Sequence, residues 1–172
     1  MTVAVNLSSR QFSQPDLLER VDRILQETGI NGRNLKLEIT ESAIMDNPDV
    51  ARDMLLQLRA RNIQLCMDDF GTGYSSLSYL HRFPLDTLKI DRSFVSRMGS
   101  DRENYEIVQT IVNLARNLGM DAIAEGVETT TQLLQLQSLE CEFAQGYLFS
   151  KPAAPPNATQ LLLDSWRLPP IH

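Results

Sequence analysis

Ile63-Gln64-Leu65-Cys66-Met67-Asp68-Asp69-Phe70-Gly71-Thr72-Gly73 runs from an apolar, strand-like stretch into two adjacent carboxylates and a glycine-flanked loop. Neighbouring residues on a strand point to opposite faces, so two successive carboxylates reach one place only where the strand is ending. A strand over 63–67, broken by Asp68–Asp69, meets that condition, and Gly71 and Gly73 permit the tight turn that follows. Two readings of the pair stand side by side: a solvated turn capping a helix, or half of a cation site at a strand end.

Outward from this stretch the same rhythm recurs in both directions. Val3–Leu7 is apolar and β-branched, and residues 17–25 show helical spacing, with Ser13 or Asp16 as caps and Gly29 as a stop. Residues 35–39 predict a second strand, and helical spacing returns through Val50, Met54, Leu55 and Leu58 behind Asn47-Pro48. Downstream, a short helix passes through Leu77 and Leu80 and stops at Pro84. Thr87–Ile90 is a fourth strand, and the longest helix runs from about 104 to 118, closed by Gly119. Strands at 122–124 and 143–149 flank a helix at 129–139. An extended linker at 151–156 then leads to a terminal helix over 158–166.

Six strands, each followed by a helix, form the βα pattern of a parallel α/β sheet. So regular a rhythm predicts a (β/α) TIM-like barrel. A closed barrel of this kind needs eight strands and typically ~250 residues. The expectation is therefore one domain over 1–172, an incomplete barrel lacking its first quarter, with 151–172 as its linker and terminal helix.

Composition narrows the function. A net charge of −6 argues against a surface for polymeric nucleic acid, which clusters Lys and Arg. Cys66 and Cys141 lie inside apolar runs without metal-type spacing and read as buried thiols. No apolar stretch approaches the ~20 residues that span a bilayer, and Met1 opens no signal-peptide pattern. A cytoplasmic chain without membrane contact is expected.

The candidate chemistry gathers at strand ends. Asn6, Glu38, the Asp68–Asp69 pair and Glu125 stand toward the downstream ends of separate apolar runs, and a parallel α/β array brings such ends to one face. Acids delivered there would repel one another unless a cation lies between them. Glu38 has a parity opposite to Leu37 and Ile39, so it faces the barrel interior if they face the helices. Glu41 falls at or past the strand end, where a loop anchor, a helix cap and direct ligation are all open. Lys89, between Leu88 and Ile90, follows the same inward logic. It either orients water or a phosphate oxygen, or forms a buried salt bridge with Asp91 or Asp68. Asn6 offers an amide oxygen, a hard ligand for Mg²⁺ or Mn²⁺. Gln145 has the weaker alternative of satisfying backbone groups. His81 and His172 resemble neither zinc ligands nor a triad base, and Ser75–Ser76 has no nearby histidine. Tyr74 and Tyr79 read as packing residues, and the Gly71 loop lacks the Lys-Ser/Thr of a nucleotide-binding loop.

Six motifs now appear in order: Asn6-Leu7-Ser8, Leu37-Glu38-Ile39-Thr40-Glu41, Asp68-Asp69-Phe70-Gly71-Thr72-Gly73-Tyr74-Ser75-Ser76-Leu77, Lys89-Ile90-Asp91, Ala124-Glu125-Gly126-Val127-Glu128 and Gln145-Gly146-Tyr147. Together they closely resemble the EAL-domain cyclic di-GMP phosphodiesterases of bacteria, from residue 3 to about 152. The resemblance implies a two-metal site, Mg²⁺ or Mn²⁺, that hydrolyses cyclic di-GMP to linear pGpG. It implies that Asn6, Glu38, Asp68 and Asp69 bind metal and that Glu125 supports the second ion. Lys89 would hold or activate the attacking water, Gln145 would lie beside water and substrate, and Glu41 would anchor the 68–76 loop. Divalent ions then supply the activation that a histidine base would otherwise provide.

The chain departs from the family in one respect: the Glu-Ala-Leu signature occurs nowhere in it. Its place would be on a strand before Asn6. Two expectations follow, namely impaired turnover by this N-terminally truncated chain, and cover for its open sheet edges from a second copy (a homodimer), swapped elements or a partner. The rival reading is a non-catalytic cyclic di-GMP-binding or protein-interaction module.

Overall fold

A computed structural model describes residues 1–73, 77–99 and 101–163. Six strands, β1 (Val3–Leu7), β2 (Leu35–Thr40), β3 (Gln64–Phe70), β4 (Thr87–Ile90), β5 (Asp121–Glu125) and β6 (Phe143–Gln145), form one sheet. They pair in sequence order and are all parallel. This is the expected α/β, TIM-like architecture with six barrel strands. β1 and β6 are its edges, and among the described residues no pairing joins them.

Alternation along the strands sorts the two faces. Leu37, Ile39, Leu65, Met67, Leu88, Ile90, Ala122 and Ala124 are buried in the apolar core under the helices. Glu38, Cys66, Asp68 and Lys89, of opposite parity, occupy the other face and are also buried. Four of the helices are α2 (Leu17–Thr28), α4 (Pro48–Arg59), α7 (Arg102–Asn117) and α8 (Thr130–Ser138). Of their side chains, Leu55, Leu58, Val108 and Ala115 are wholly enclosed in the core. Gly29 ends α2 in the left-handed region (φ 68°), its N–H donating to the Leu25 carbonyl at 3.0 Å. Asp16 stands at the N-cap of α2 without a side-chain capping bond, whereas the Asn47 side chain does cap α4 ahead of Pro48. Both cysteines are free and buried, and burial pushes the Cys66 thiol up to about 12.

Several boundaries differ from the sequence reading. β3 does not stop at Met67 but continues through Asp68 and Asp69 to Phe70, because a bulge absorbs the second carboxylate. β6 ends at Gln145 instead of residue 149. Gly146 lies so close to the Val127 backbone that a Cβ there would meet the Val127 carbonyl oxygen at 2.1 Å. The chain turns at once, with the Leu148 N–H donating to that carbonyl and Phe149 N–H to the Gly146 carbonyl. Short helices α1 (Ser9–Phe12), α3 (Glu41–Met45) and α6 (Arg92–Val95) went unpredicted. Four or five residues are too few to display a 3.6-residue period. The expected α5 is present as Leu77–Leu80, and the terminal helix α9 starts earlier than expected and spans Pro155–Leu163. Its expected continuation to Trp166 lies outside the described residues, as do Tyr74, Ser75, Ser76 and His172.

Candidate active site at the strand ends

The bulge in β3 builds the site. Met67 pairs with Leu88 and Phe70 with Ile90, so three steps on β3 oppose two on β4. The surplus falls on Asp68–Asp69, and Asp69 takes a left-handed conformation with φ 54°. That conformation breaks the alternation that would otherwise send the two carboxylates to opposite faces. It costs on the order of 1–3 kcal/mol, less for Asp than for bulkier residues. The Asp69 N–H donates to Asp68 Oδ1 at 3.0 Å. Carboxylate oxygens of Asp68, Asp69 and Glu125, the last from the end of β5, lie within 4.8 Å of one another.

Lys89 sits at the middle of this group from β4. Its Nζ is 2.6 Å from Glu125 Oε1, 2.7 Å from Glu38 Oε2 and 3.1 Å from Asp68 Oδ1, with the side chain only 4% exposed. The expected salt bridge thus includes Asp68 but not Asp91. Asp91 is instead held at the start of α6, where its carboxylate accepts the Ser93 N–H at 2.9 Å.

Four carboxylates (Glu38, Asp68, Asp69 and Glu125) face one ammonium, which leaves a strong excess of negative charge. The titration behaviour follows. Burial alone would lower the Lys89 pKa, but hydrogen bonds to Glu125 and Glu38 and the charge of Asp68 carry it above the ordinary lysine range. Glu125 moves up as well, although it is an ion-pair partner of Lys89. Burial is the largest cause, and the charges of Asp68 and Glu38 add to it, together outweighing a single shared ammonium. Asp69 is raised by burial, then by Asp68 and Asp91.

These directions carry a sign for stability. A carboxylate whose pKa is raised on folding holds its proton more tightly in the native state, so its contribution is full below its unfolded value. It is lost as pH rises through the folded one. Without metal, Glu125→Gln is therefore expected to gain stability relative to wild type as pH climbs from 4 to 7. Urea unfolding in EDTA across that window measures it. A difference between the two proteins that stays constant with pH would contradict the assignment.

The remaining sequence-selected residues fall into two groups. Asn6 pairs in register with Glu38, and Gln145 with Glu125. Neighbouring parallel strands lie ≈ 4.8 Å apart, so both amides flank the acidic cluster, one on each edge strand. Glu41 does something else. It is 3% exposed and its Oε2 accepts the Gly71 N–H at 3.0 Å, while Gly73 passes beside the same carboxylate with no room for a Cβ. This is the loop-anchor alternative. Glu41→Gln keeps the acceptor but loses its charge, so a modest loss of about 1 kcal/mol is expected, with faster amide exchange at Gly71. Unchanged exchange there would remove the anchor role. Exposed His81 takes no part.

Three residues to which no role was given also border the site. Arg92, Glu128 and Tyr147 line a cavity of about 200 Å³ together with Glu125, Gly126, Gln145 and Gly146. Each stands two or three residues beyond the end of β4, β5 or β6, although the sequence had placed Tyr147 inside a strand over 143–149.

The donor set suits a hard divalent cation. The oxygens of Asp68, Asp69 and Glu125 are all carboxylate, they converge, and their charge exceeds what Lys89 neutralises. Neither cysteine joins them: Cys66 bonds the Met67 carbonyl and Cys141 those of Ala122 and Phe143. The EAL domain family model matches residues 1–152 of the chain. The chain belongs to the EAL domain family.

Within that family, this EAL chain is 42% identical over its whole length to the Pseudomonas aeruginosa cyclic di-GMP phosphodiesterase NbdA, covering 22% of that protein. It superposes on the PaMucR phosphodiesterase in a c-di-GMP complex with a TM-score of 0.89 at 41% identity, over 91% of this chain and 64% of that one. A manganese and cy-diGMP complex of Klebsiella pneumoniae BlrP1 matches with a TM-score of 0.81 at 34% identity, over 88% of this chain and 39% of that one. The chain spans about a fifth of the length of the curated relatives it matches. No helix among the described residues is long and apolar enough to cross a membrane.

Proposed function

We propose that this chain carries a metal-dependent phosphodiesterase site that hydrolyses cyclic di-GMP to linear pGpG in the cytoplasm. The observation that carries the reading is the convergence of Asp68, Asp69 and Glu125 beside the buried Lys89. The names of the relatives NbdA and PaMucR support the substrate. Residues 1–172 would act as one domain, with 151–172 its linker and terminal helix.

Asn6, Glu38, Asp68, Asp69 and Glu125 would hold a pair of Mg²⁺ or Mn²⁺ ions. When bound, the ions supply charge stabilisation for an in-line displacement at phosphorus. Lys89, held at the centre of the cluster by Glu38, Asp68 and Glu125, would donate to the attacking water and orient it. Gln145, opposite Glu125 on the edge strand, positions water and substrate. Glu41 acts at a distance by fixing the loop behind Asp69. Product formation breaks the P–O3′ bond and leaves the phosphate on the 5′ side, as pGpG requires.

Without a Glu-Ala-Leu segment in the 172 residues, turnover by this chain alone is expected to be slow. The free edges of β1 and β6 offer backbone groups to a second copy or another partner, which light scattering would reveal as a dimer. The direct test is chromatographic detection of pGpG from cyclic di-GMP with Mn²⁺ and with EDTA. Mn²⁺-dependent release supports the reading. Tight binding without release would favour a non-catalytic cyclic di-GMP-binding module instead.

A further inference from the structure

We infer that Gln132, on α8, is a positioning residue for the carboxylate of Glu125. The inference rests on the phosphodiesterase reading for the task of Glu125, and it adds a residue that lies outside the strand-end cluster. Gly126 follows Glu125 directly and adopts φ 71°, in the left-handed region that glycine enters freely. Such a link leaves the end of β5 soft. The direction of the Glu125 carboxylate is therefore set by whatever holds the chain just beyond Gly126.

Two fastenings do so. Val127 is wholly buried and held from the β6 side: its N–H donates to the Gln145 carbonyl at 3.1 Å, and its carbonyl accepts the Leu148 N–H at 3.0 Å. The second fastening is a single side-chain atom. Gln132 Oε1 accepts the Glu128 N–H at 2.8 Å and the Thr129 N–H at 3.0 Å, and Gln132 is buried. Both N–H groups precede the repeating bonds of α8, so this oxygen is what satisfies them. Thr129 Oγ1 accepts the Gln132 N–H at 3.2 Å in return, which closes a capping box. A capping box requires only the bond to the N-cap residue, here Thr129. The bond to Glu128, one residue earlier, exceeds what starting a helix demands and reaches back toward the site. One acceptor shared by successive N–H groups fixes both peptide planes. With Val127 held from the other side, the segment between β5 and α8 keeps little freedom, and Glu125 is aimed at Asp68 and Asp69 before any ion arrives.

The test uses the full 172-residue chain, with Mn²⁺ titration and amide exchange as readouts. Gln132→Met keeps the length of the side chain and removes the acceptor. It should weaken Mn²⁺ binding by on the order of 10-fold and speed exchange at Glu128 and Thr129. Gln132→Glu retains an acceptor and should bind Mn²⁺ as wild type does. Thr129→Val removes the other half of the capping box, so it should lower the urea midpoint while leaving Mn²⁺ affinity unchanged. Wild type alone supplies a further check. If the fastening favours the ion, the ion must favour the fastening, so Mn²⁺ should slow exchange at the Glu128 and Thr129 amides. Exchange there indifferent to saturating Mn²⁺, or wild-type affinity in Gln132→Met, would overturn the assignment. So would an equal loss of affinity in Thr129→Val, which marks simple fraying of α8, or no rescue by Gln132→Glu. Failure of the phosphodiesterase reading looks different: no Mn²⁺-dependent pGpG release from wild type, with the dependence of Mn²⁺ affinity on Gln132 intact.

Discussion

Lys89→Met is expected to destabilise the metal-free protein by about 3–5 kcal/mol, the usual penalty for removing one partner of a buried ionic group. The side chain is 4% exposed and its ammonium is the shared counterion of Glu38, Asp68 and Glu125. Methionine fills much of the same volume, so the loss reports charge more than cavity formation. Two recoveries should accompany it. Lowering the pH protonates the stranded carboxylates and restores part of the stability, and Mn²⁺ should restore part of it by replacing the missing positive charge. Urea unfolding in EDTA at pH 7, repeated at pH 5 and with Mn²⁺, measures all three. A wild-type midpoint in EDTA would mean that the cluster does not depend on Lys89.

Asp68→Asn should have the largest effect on ligand chemistry. Asp68 is buried, touches Lys89 at 3.1 Å, accepts the Asp69 N–H and shares the convergent oxygen cluster with Asp69 and Glu125. Asparagine keeps the shape and one acceptor but removes a charge from a site whose cation affinity comes from surplus negative charge. Mn²⁺ affinity is expected to fall by on the order of 100-fold or more, and pGpG release to background. The fold should survive, because the amide oxygen still accepts the Asp69 N–H. Isothermal titration with Mn²⁺ together with the pGpG assay checks both. Unaltered Mn²⁺ affinity in a folded variant would remove Asp68 from the metal site.

Both results depend on a feature that local sequence did not disclose. The residues 63–73 announced a strand ending in two carboxylates, and strand alternation correctly placed Glu38 and Lys89 on the face opposite Leu37, Ile39, Leu88 and Ile90. Alternation also implied that the strand must end before Asp69. It does not end, because a bulge and a left-handed Asp69 let β3 run on while turning the second carboxylate. Likewise, Lys89 had two plausible acidic neighbours in sequence, Asp91 and Asp68. Only the packing of β2, β3, β4 and β5 side by side brought Glu38 and Glu125 to its ammonium. Arg92, Glu128 and Tyr147 were quoted in or beside motifs without a role, since their common cavity joins the ends of β4, β5 and β6.

By itself the sequence determined the parallel α/β rhythm, the inward parity of Glu38 and Lys89 and the acidic character of the strand ends. These are periodic or compositional properties, and a periodicity of two or 3.6 residues is written along a single stretch of chain. The tertiary structure decided the bulge at Asp68–Asp69, the four-way contact of Lys89 and the separation of Glu41 from the cluster. Those depend on register between strands that are distant in sequence, where a shift of one residue reverses which face a side chain occupies.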